Sequence, residues 1–242
     1  LGRQGILLDE VEDFFKGLKE KDNLDVVAIY THFSNIEDTD DLAHAQKQYD
    51  QLMEAKKNSG LDNIEHHISA TSGILTDGDM GWNGEIVRLG IGLYGLWPSE
   101  SLREKYGESI ELRPVMRWVS KVAQIKEVPE GFPIGYGCSH ITSKNTKIAV
   151  IPQGYSDGYD RGLSGKVDVL INGQRCSVLG RVAMNMFVVD VTDVDVEKED
   201  EVVLLGKQGG DEITAEELGN VLDTINYEIV TRVWPKLERV VV

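Results

Sequence analysis

Apolar positions in the first hundred residues recur with two different periods. Leu7, Leu8, Val11, Phe14, Phe15 and Leu18 fall three and four apart, which predicts a helix over residues 6–21, ended by Asp22-Asn23. Residues 26–30 form a short apolar run of the kind that makes a buried parallel strand. A helix is predicted from about 42 to 58, with Gly60 as its stop. Short strands follow at 65–70 and 86–89, the second running into Gly90-Ile91-Gly92. Strand and helix in alternation imply βαβ units and a parallel sheet.

The pattern changes after Val115. Strands are predicted at 119–128, 147–151, 166–171, 176–179, 186–191 and 201–205, and a last one at 239–242. Turn residues separate them: Pro129-Glu130-Gly131 follows the first, and Asn172-Gly173 marks a hairpin. One helix is marked over 214–223, with Thr214 as its cap and Glu217 three residues on. This half reads as mostly antiparallel β. The boundary falls in the charged, turn-rich stretch between Pro98 and Pro114, giving domains 1–105 and 106–242. No internal repeat or low-complexity segment occurs.

Composition narrows the classes of function. Hydrophobic residues make up 41% and charged residues 27%, as in an ordinary globular chain. Twenty-five Lys and Arg against 41 Asp and Glu give a net charge of −16. Such a surface repels nucleic acid and anionic membranes, although a local basic pocket stays open. Two cysteines, Cys138 and Cys176, are too few for a disulfide framework and fit no zinc pattern. A reducing, cytoplasmic setting and no metal are expected. No apolar run approaches the ~18 residues of a membrane span, and no signal peptide is expected. The opening Leu1-Gly2-Arg3-Gln4-Gly5 reads as the interior of a longer chain.

Ligands of parallel α/β structures sit at the C-terminal ends of strands. His32, Ser69 and Arg88 fall there. Alone, His32 reads as a hydrogen-bonded core histidine and Ser69 as a helix cap. Arg88 inside an apolar run is harder to make ordinary, because a buried guanidinium demands acceptors. The small residues at Gly90-Ile91-Gly92 would let backbone N–H groups approach a phosphate, or would simply make a turn. In the second half, Tyr136 lies between Gly135 and Gly137, and Tyr155 follows Gly154. Gly180-Arg181-Val182-Ala183-Met184 lies between two strands. These segments are glycine turns with aromatic plugs, or they present hydroxyls to a ligand.

Taken in order, these segments resemble the alanine racemases, pyridoxal-phosphate enzymes of fold type III. The matching stretches are Gly2-Arg3-Gln4-Gly5, Tyr30-Thr31-His32-Phe33, His67-Ile68-Ser69-Ala70, Arg88-Leu89-Gly90-Ile91, Gly135-Tyr136-Gly137, Gly154-Tyr155-Ser156-Asp157-Gly158 and Gly180-Arg181-Val182-Ala183-Met184. The resemblance implies part of a (β/α)8, TIM-type barrel followed by a mostly antiparallel β domain. It implies interconversion of L- and D-alanine through a pyridoxal 5′-phosphate aldimine with two opposed bases, supplying D-alanine for the cell wall.

Residue by residue, Ser69, Gly90, Ile91 and Tyr227 match positions that hold the cofactor phosphate. Arg88 matches the arginine facing the pyridine nitrogen, and His32 the histidine beside it. Tyr136 matches a catalytic tyrosine that reaches the partner subunit's site in a head-to-tail homodimer. Arg3 and Met184 match substrate-contacting positions. The Schiff-base lysine of the family lies upstream of these residues, so the 242 residues alone are expected to be inactive and to represent the family's C-terminal two-thirds. Asn185 and Ile68 stand where many members have aspartate and asparagine. Two other readings remain: a non-catalytic phosphate-binding fragment or split-protein partner, and a serine or broad-specificity racemase.

Overall fold

The computed structural model describes residues 1–78 and 80–242. They form two compact units, Leu1–Arg113 and Pro114–Val242.

In the first unit a 3-10 turn at Leu8–Glu10 leads into α1 (Val11–Lys19). Strand β1 (Ala28–Tyr30), helix α2 (Ala43–Asn58) and strand β2 (Glu65–His67) make a βαβ unit. The two strands pair in parallel, with Ala28 opposite Glu65 and Tyr30 opposite His67. Helix α3 (Thr71–Asp77) follows β2 directly, then a 3-10 turn at Ile91–Tyr94 and α4 (Glu100–Tyr106). Phe33, Ile36, Ala45, Leu52, Ile68 and Trp82 form one buried cluster, and Val11, Phe15 and Ile64 another. Full burial of side chains of this size contributes roughly 1.5–3 kcal/mol each. Trp82 enters the core because its indole N–H reaches Gln46 Oε1 at 3.0 Å.

The neighbours His66 and His67 go to different surroundings, as alternation along a strand requires. His66 meets α2, and its Nδ1 lies 2.9 Å from Glu85 Oε2. The Glu85 carboxylate also accepts the His66 amide at 3.0 Å and lies 3.7 Å from Lys56 Nζ. Amide hydrogen bonds, its own and that of His66, are the main cause that holds its pKa down at about 2, from an ordinary 4.5. The charges of His66 and Lys56 add to this. A depressed carboxyl pKa stabilises the fold above the ordinary value and loses that contribution as pH falls toward the depressed one. The stability gap between the native protein and Glu85→Gln should therefore close between pH 4.5 and about 2 in urea titrations. A gap that stays constant through this window would remove Glu85 from the acid response.

Two expectations fail here. Residues 86–89 do not form a strand. They touch β2's extension through one backbone bond, Arg88 N to Ser69 O at 2.9 Å, and Val87 and Leu89 are exposed. The charged stretch after Pro98 is not all turn: it contains α4, capped by Ser99 Oγ accepting from the Leu102 amide.

The second unit is built on one antiparallel eight-stranded sheet. Its strands are β3 (Trp118–Lys121), β4 (Gln124–Val128), β7 (Thr146–Ile151), β8 (Asp168–Ile171), β9 (Gln174–Leu179), β10 (Phe187–Asp190), β11 (Glu201–Gln208) and β12 (Asp211–Ile213). The order is β12-β11-β8-β9-β10-β7-β4, with β3 also on β11. The predicted strand over 119–128 is thus two strands. The Val122 amide bonds Asp200 O and the Ala123 amide bonds Val150 O, so the chain changes partner between them. Asn172-Gly173 turns β8 into β9, and Asn172 and Gly173 both have positive φ. Tyr159 is buried between Phe187, stacked at 4.6 Å, and the edge of Trp118.

Helices α5 (Ala215–Leu222) and α6 (Asn226–Arg232) close this unit. Thr214 caps α5 as expected, its Oγ accepting from the Glu217 amide at 3.0 Å. The final strand expected at 239–242 does not form. Strands β5 (Pro133–Ile134) and β6 (His140–Ile141) make a separate hairpin.

Candidate active site

Arg88 is the centre of the first unit's polar residues. Its backbone follows the end of β2, and its side chain reaches across the C-terminal ends of both parallel strands. NH2 donates to Thr31 O at 2.8 Å and Ile68 O at 3.0 Å, and lies 2.9 Å from His32 Nδ1. NH1 donates to His67 O at 3.2 Å and also contacts His67 Nδ1. Tyr30 lies under the guanidinium, 5.3 Å from ring centre to Cζ, and stacks on the His67 ring at 4.9 Å and 3°.

No carboxylate touches the guanidinium among the described residues. Burial pulls the Arg88 pKa down, with Tyr30 opposing and Arg3 adding to it, but an arginine stays charged. Arginine has donors only, so an imidazole bonded to it accepts at Nδ1 and carries its proton on Nε2; the two NH2 hydrogens are shared among Thr31 O, Ile68 O and His32 Nδ1. Burial first, and then the Arg88 charge, lower the pKa of both histidines. The result is a fixed positive charge held by carbonyls and neutral rings. Four terminal N–H groups are committed, and the Nε–H has no protein partner among the described residues.

Arg3 lies in the exposed opening segment. With Leu1, His32, Phe33, Ser34 and Glu37 it lines a groove of about 410 Å³. Its charge adds to the depression of the His32 pKa.

In the first unit, the residues expected to hold a phosphate lie around the start of α3 and the turn at Gly90. Ser69 is fully buried, and its hydroxyl faces Gly73 of α3, where an added Cβ would lie 2.9 Å from it. The hydroxyl at the Gly90–Gly92 turn is that of Thr71, the first residue of α3. Its Oγ1 accepts from the Gly90 amide at 3.0 Å and the Gly92 amide at 3.2 Å. Gly92 must be small, because a Cβ there would sit 2.7 Å from Thr71 Cγ2. Sequence reading passed over Thr71 and gave His67 no role. The available signal was position: His67 ends β2, and Thr71 follows four residues on, at the first position of α3.

In the second unit Tyr136 sits at the tip of the β5–β6 hairpin, 71% exposed. Gly135 and Gly180, both at positive φ, let the hairpin backbone press against Gly180-Arg181; a Cβ on Gly135 would lie 2.7 Å from Arg181 N. The same segment continues to Met184, which is 58% exposed, and the Ser156 amide and Oγ hold its carbonyl at 2.9 and 2.7 Å. Tyr136 and Met184 are thus carried on loops that meet along residues 180–184. Tyr227 lies in the first turn of α6 and is half-buried.

Known proteins match this chain along both units. The alanine racemase N-terminal domain matches residues 1–98, and the alanine racemase C-terminal domain matches residues 115–241. The alanine racemase of Carboxydothermus hydrogenoformans is 38% identical over 246 residues, covering all of this chain and 65% of that protein. That of Halothermothrix orenii is 36% identical, covering 99% of this chain and 62% of its own length. The chain therefore spans somewhat under two thirds of these relatives. Because the N-terminal domain also matches, the label of a C-terminal two-thirds is too narrow.

Among solved structures, the Bacillus anthracis alanine racemase with bound L-Ala-P superposes with a TM-score of 0.89 at 34% identity, covering 97% of this chain and 60% of that one. The Bartonella henselae alanine racemase with covalently bound pyridoxal phosphate gives 0.83 at 27% identity, covering 99% and 63%. With both of the family's domains matched in order, around a strand-end arginine and a glycine-braced tyrosine hairpin, the chain belongs to the alanine racemase family.

Proposed function

We propose that this chain acts in a racemase that interconverts L- and D-alanine with pyridoxal 5′-phosphate, in the cytoplasm, to supply D-alanine for peptidoglycan. The observation that carries the reading is the Arg88 node: a permanent cation without a carboxylate, with one N–H still to give, at paired strand ends. A pyridine nitrogen is a fitting acceptor for it. The arginine cannot release a proton to that nitrogen, which keeps the ring neutral and limits its pull on electrons. His32 braces the same guanidinium.

The phosphate fits the turn at Gly90. Thr71 Oγ1 already accepts two amides, so its own O–H is left to donate to an anion. We assign the phosphate to Thr71 and the Gly90 and Ile91 backbone, with Ser69 behind them in the core, and keep Tyr227 as the further phosphate ligand that the family resemblance implies. Pyridoxal phosphate, when bound, draws electrons from the amino acid's α-carbon and acidifies its proton. Tyr136 removes or returns that proton on one face, as inversion requires a base on each side. Arg3 and Met184 contact the substrate. The exposure of Tyr136 and Met184 supports a head-to-tail homodimer in which each β unit serves the other copy's strand ends.

The test is to supply pyridoxal 5′-phosphate and L-alanine to the holoenzyme and measure D-alanine with a D-amino-acid oxidase. Formation of D-alanine, faster than D-serine from L-serine, is expected. A holoenzyme that converts neither amino acid sinks the proposal, and one that prefers serine replaces the substrate.

A further inference from the structure

Resting on the reading of Arg88 above, we propose that His67 is a positioning residue for it: a neutral imidazole, stacked on Tyr30, that accepts from the guanidinium and fixes its plane without offsetting its charge. Three observations carry this. The His67 ring and its carbonyl both meet Arg88 NH1, so one residue takes both hydrogens of that nitrogen. The ring lies flat on Tyr30, and Tyr30 also underlies the guanidinium, so the ring has little freedom to turn its Nδ1 away. Its other neighbours are His66 and Glu65, and only Glu65 favours protonation, against burial and the Arg88 charge.

The chemistry explains why an imidazole serves here. A carboxylate at this position would accept as well, but would pair with Arg88 and cancel the charge that faces the ligand. A hydrophobic ring would stack on Tyr30 but leave an N–H without an acceptor. A neutral imidazole orients the cation and leaves its field intact.

Two variants separate acceptance from stacking. Asparagine places an amide oxygen near the Nδ1 position but lacks the ring, and phenylalanine keeps the ring but lacks the acceptor. In the holoenzyme, His67→Asn should keep kcat within about threefold, whereas His67→Phe should lower it by about tenfold or more, the rate equivalent of one charge-assisted hydrogen bond. KM for alanine should change little in both. Independently of turnover, ring-¹⁵N spectra of the protein's five histidines should show His67, assigned by its loss in His67→Asn, with bare Nδ1 and protonated Nε2 at neutral pH.

An Nδ1–H tautomer or an imidazolium at His67 overturns the proposal. So does the reverse order of variants, with phenylalanine active and asparagine not. If the native holoenzyme makes no D-alanine, the racemase reading falls, while the ¹⁵N spectrum still decides how His67 holds Arg88.

Discussion

Tyr136→Phe in the holoenzyme is expected to slow racemisation by about 10²–10⁴-fold, the range that one positioned proton-transfer group contributes. The substitution removes a single oxygen. The ring stays at the tip of the β5–β6 hairpin, and the hairpin is held by backbone contacts at Gly135 and Gly180 that the side chain does not touch. Thermal stability and the absorption of bound pyridoxal phosphate should therefore be unchanged. L- and D-alanine have equal free energies, so kcat/KM must fall equally in the two directions. The asymmetry lies in isotope exchange: in deuterium oxide one enantiomer should still exchange its α-proton without inversion, while the other exchanges slowly. Equal loss of exchange from both enantiomers, or loss of the cofactor, would count against Tyr136 as the base on one face.

Arg88→Leu should give the largest loss of stability in the first unit. It leaves the carbonyls of Thr31 and Ile68 and the Nδ1 atoms of His32 and His67 without the guanidinium donor, and the His67 carbonyl with the Thr31 amide alone. Each buried acceptor so orphaned costs about 1–3 kcal/mol, reduced here because water reaches a half-buried site, so a total of about 3 kcal/mol is expected. Arg88→Lys should fall between, since an ammonium keeps the charge but offers three donors from one nitrogen and cannot bridge both strand ends. Urea unfolding followed by tryptophan fluorescence measures both, because Trp82 is buried in the same unit. Leucine melting at the native urea concentration would show that the guanidinium bonds contribute nothing to the fold.

Much of this arrangement was legible in the residues because local chemistry decided it. The helix over α2, the Thr214 cap and the Asn172-Gly173 hairpin depend on neighbours within a few positions, and they formed where expected. His32 and Arg88 were legible for a related reason: polar groups at the ends of apolar runs need partners, and here they partner each other. The failures share a different cause. Residues 86–89 have a strand's composition but make one backbone bond to Ser69, while the Arg88 side chain takes the carbonyls of Thr31 and Ile68. The break at Val122-Ala123 depends on Asp200 and Val150, which are distant in sequence. The charged residues of α4 resemble a loop until Ser99 starts the helix. Ser69 and Thr71 are both small hydroxyl residues near the end of β2, and only the path of the chain into α3 decides which one faces Gly90.

Arg88 also bears on how such a protein can change over generations. Its side chain closes the strand ends and sets the charge presented there, so one position serves folding and electronics at once. A lineage that exchanged it for an acidic residue, to favour a different reaction on the same scaffold, would first lose the side-chain clasp over the ends of β1 and β2, which their backbone pairing does not replace. Neutral drift toward new chemistry is thus blocked at this position unless donors for Thr31, His67 and Ile68 arise elsewhere beforehand.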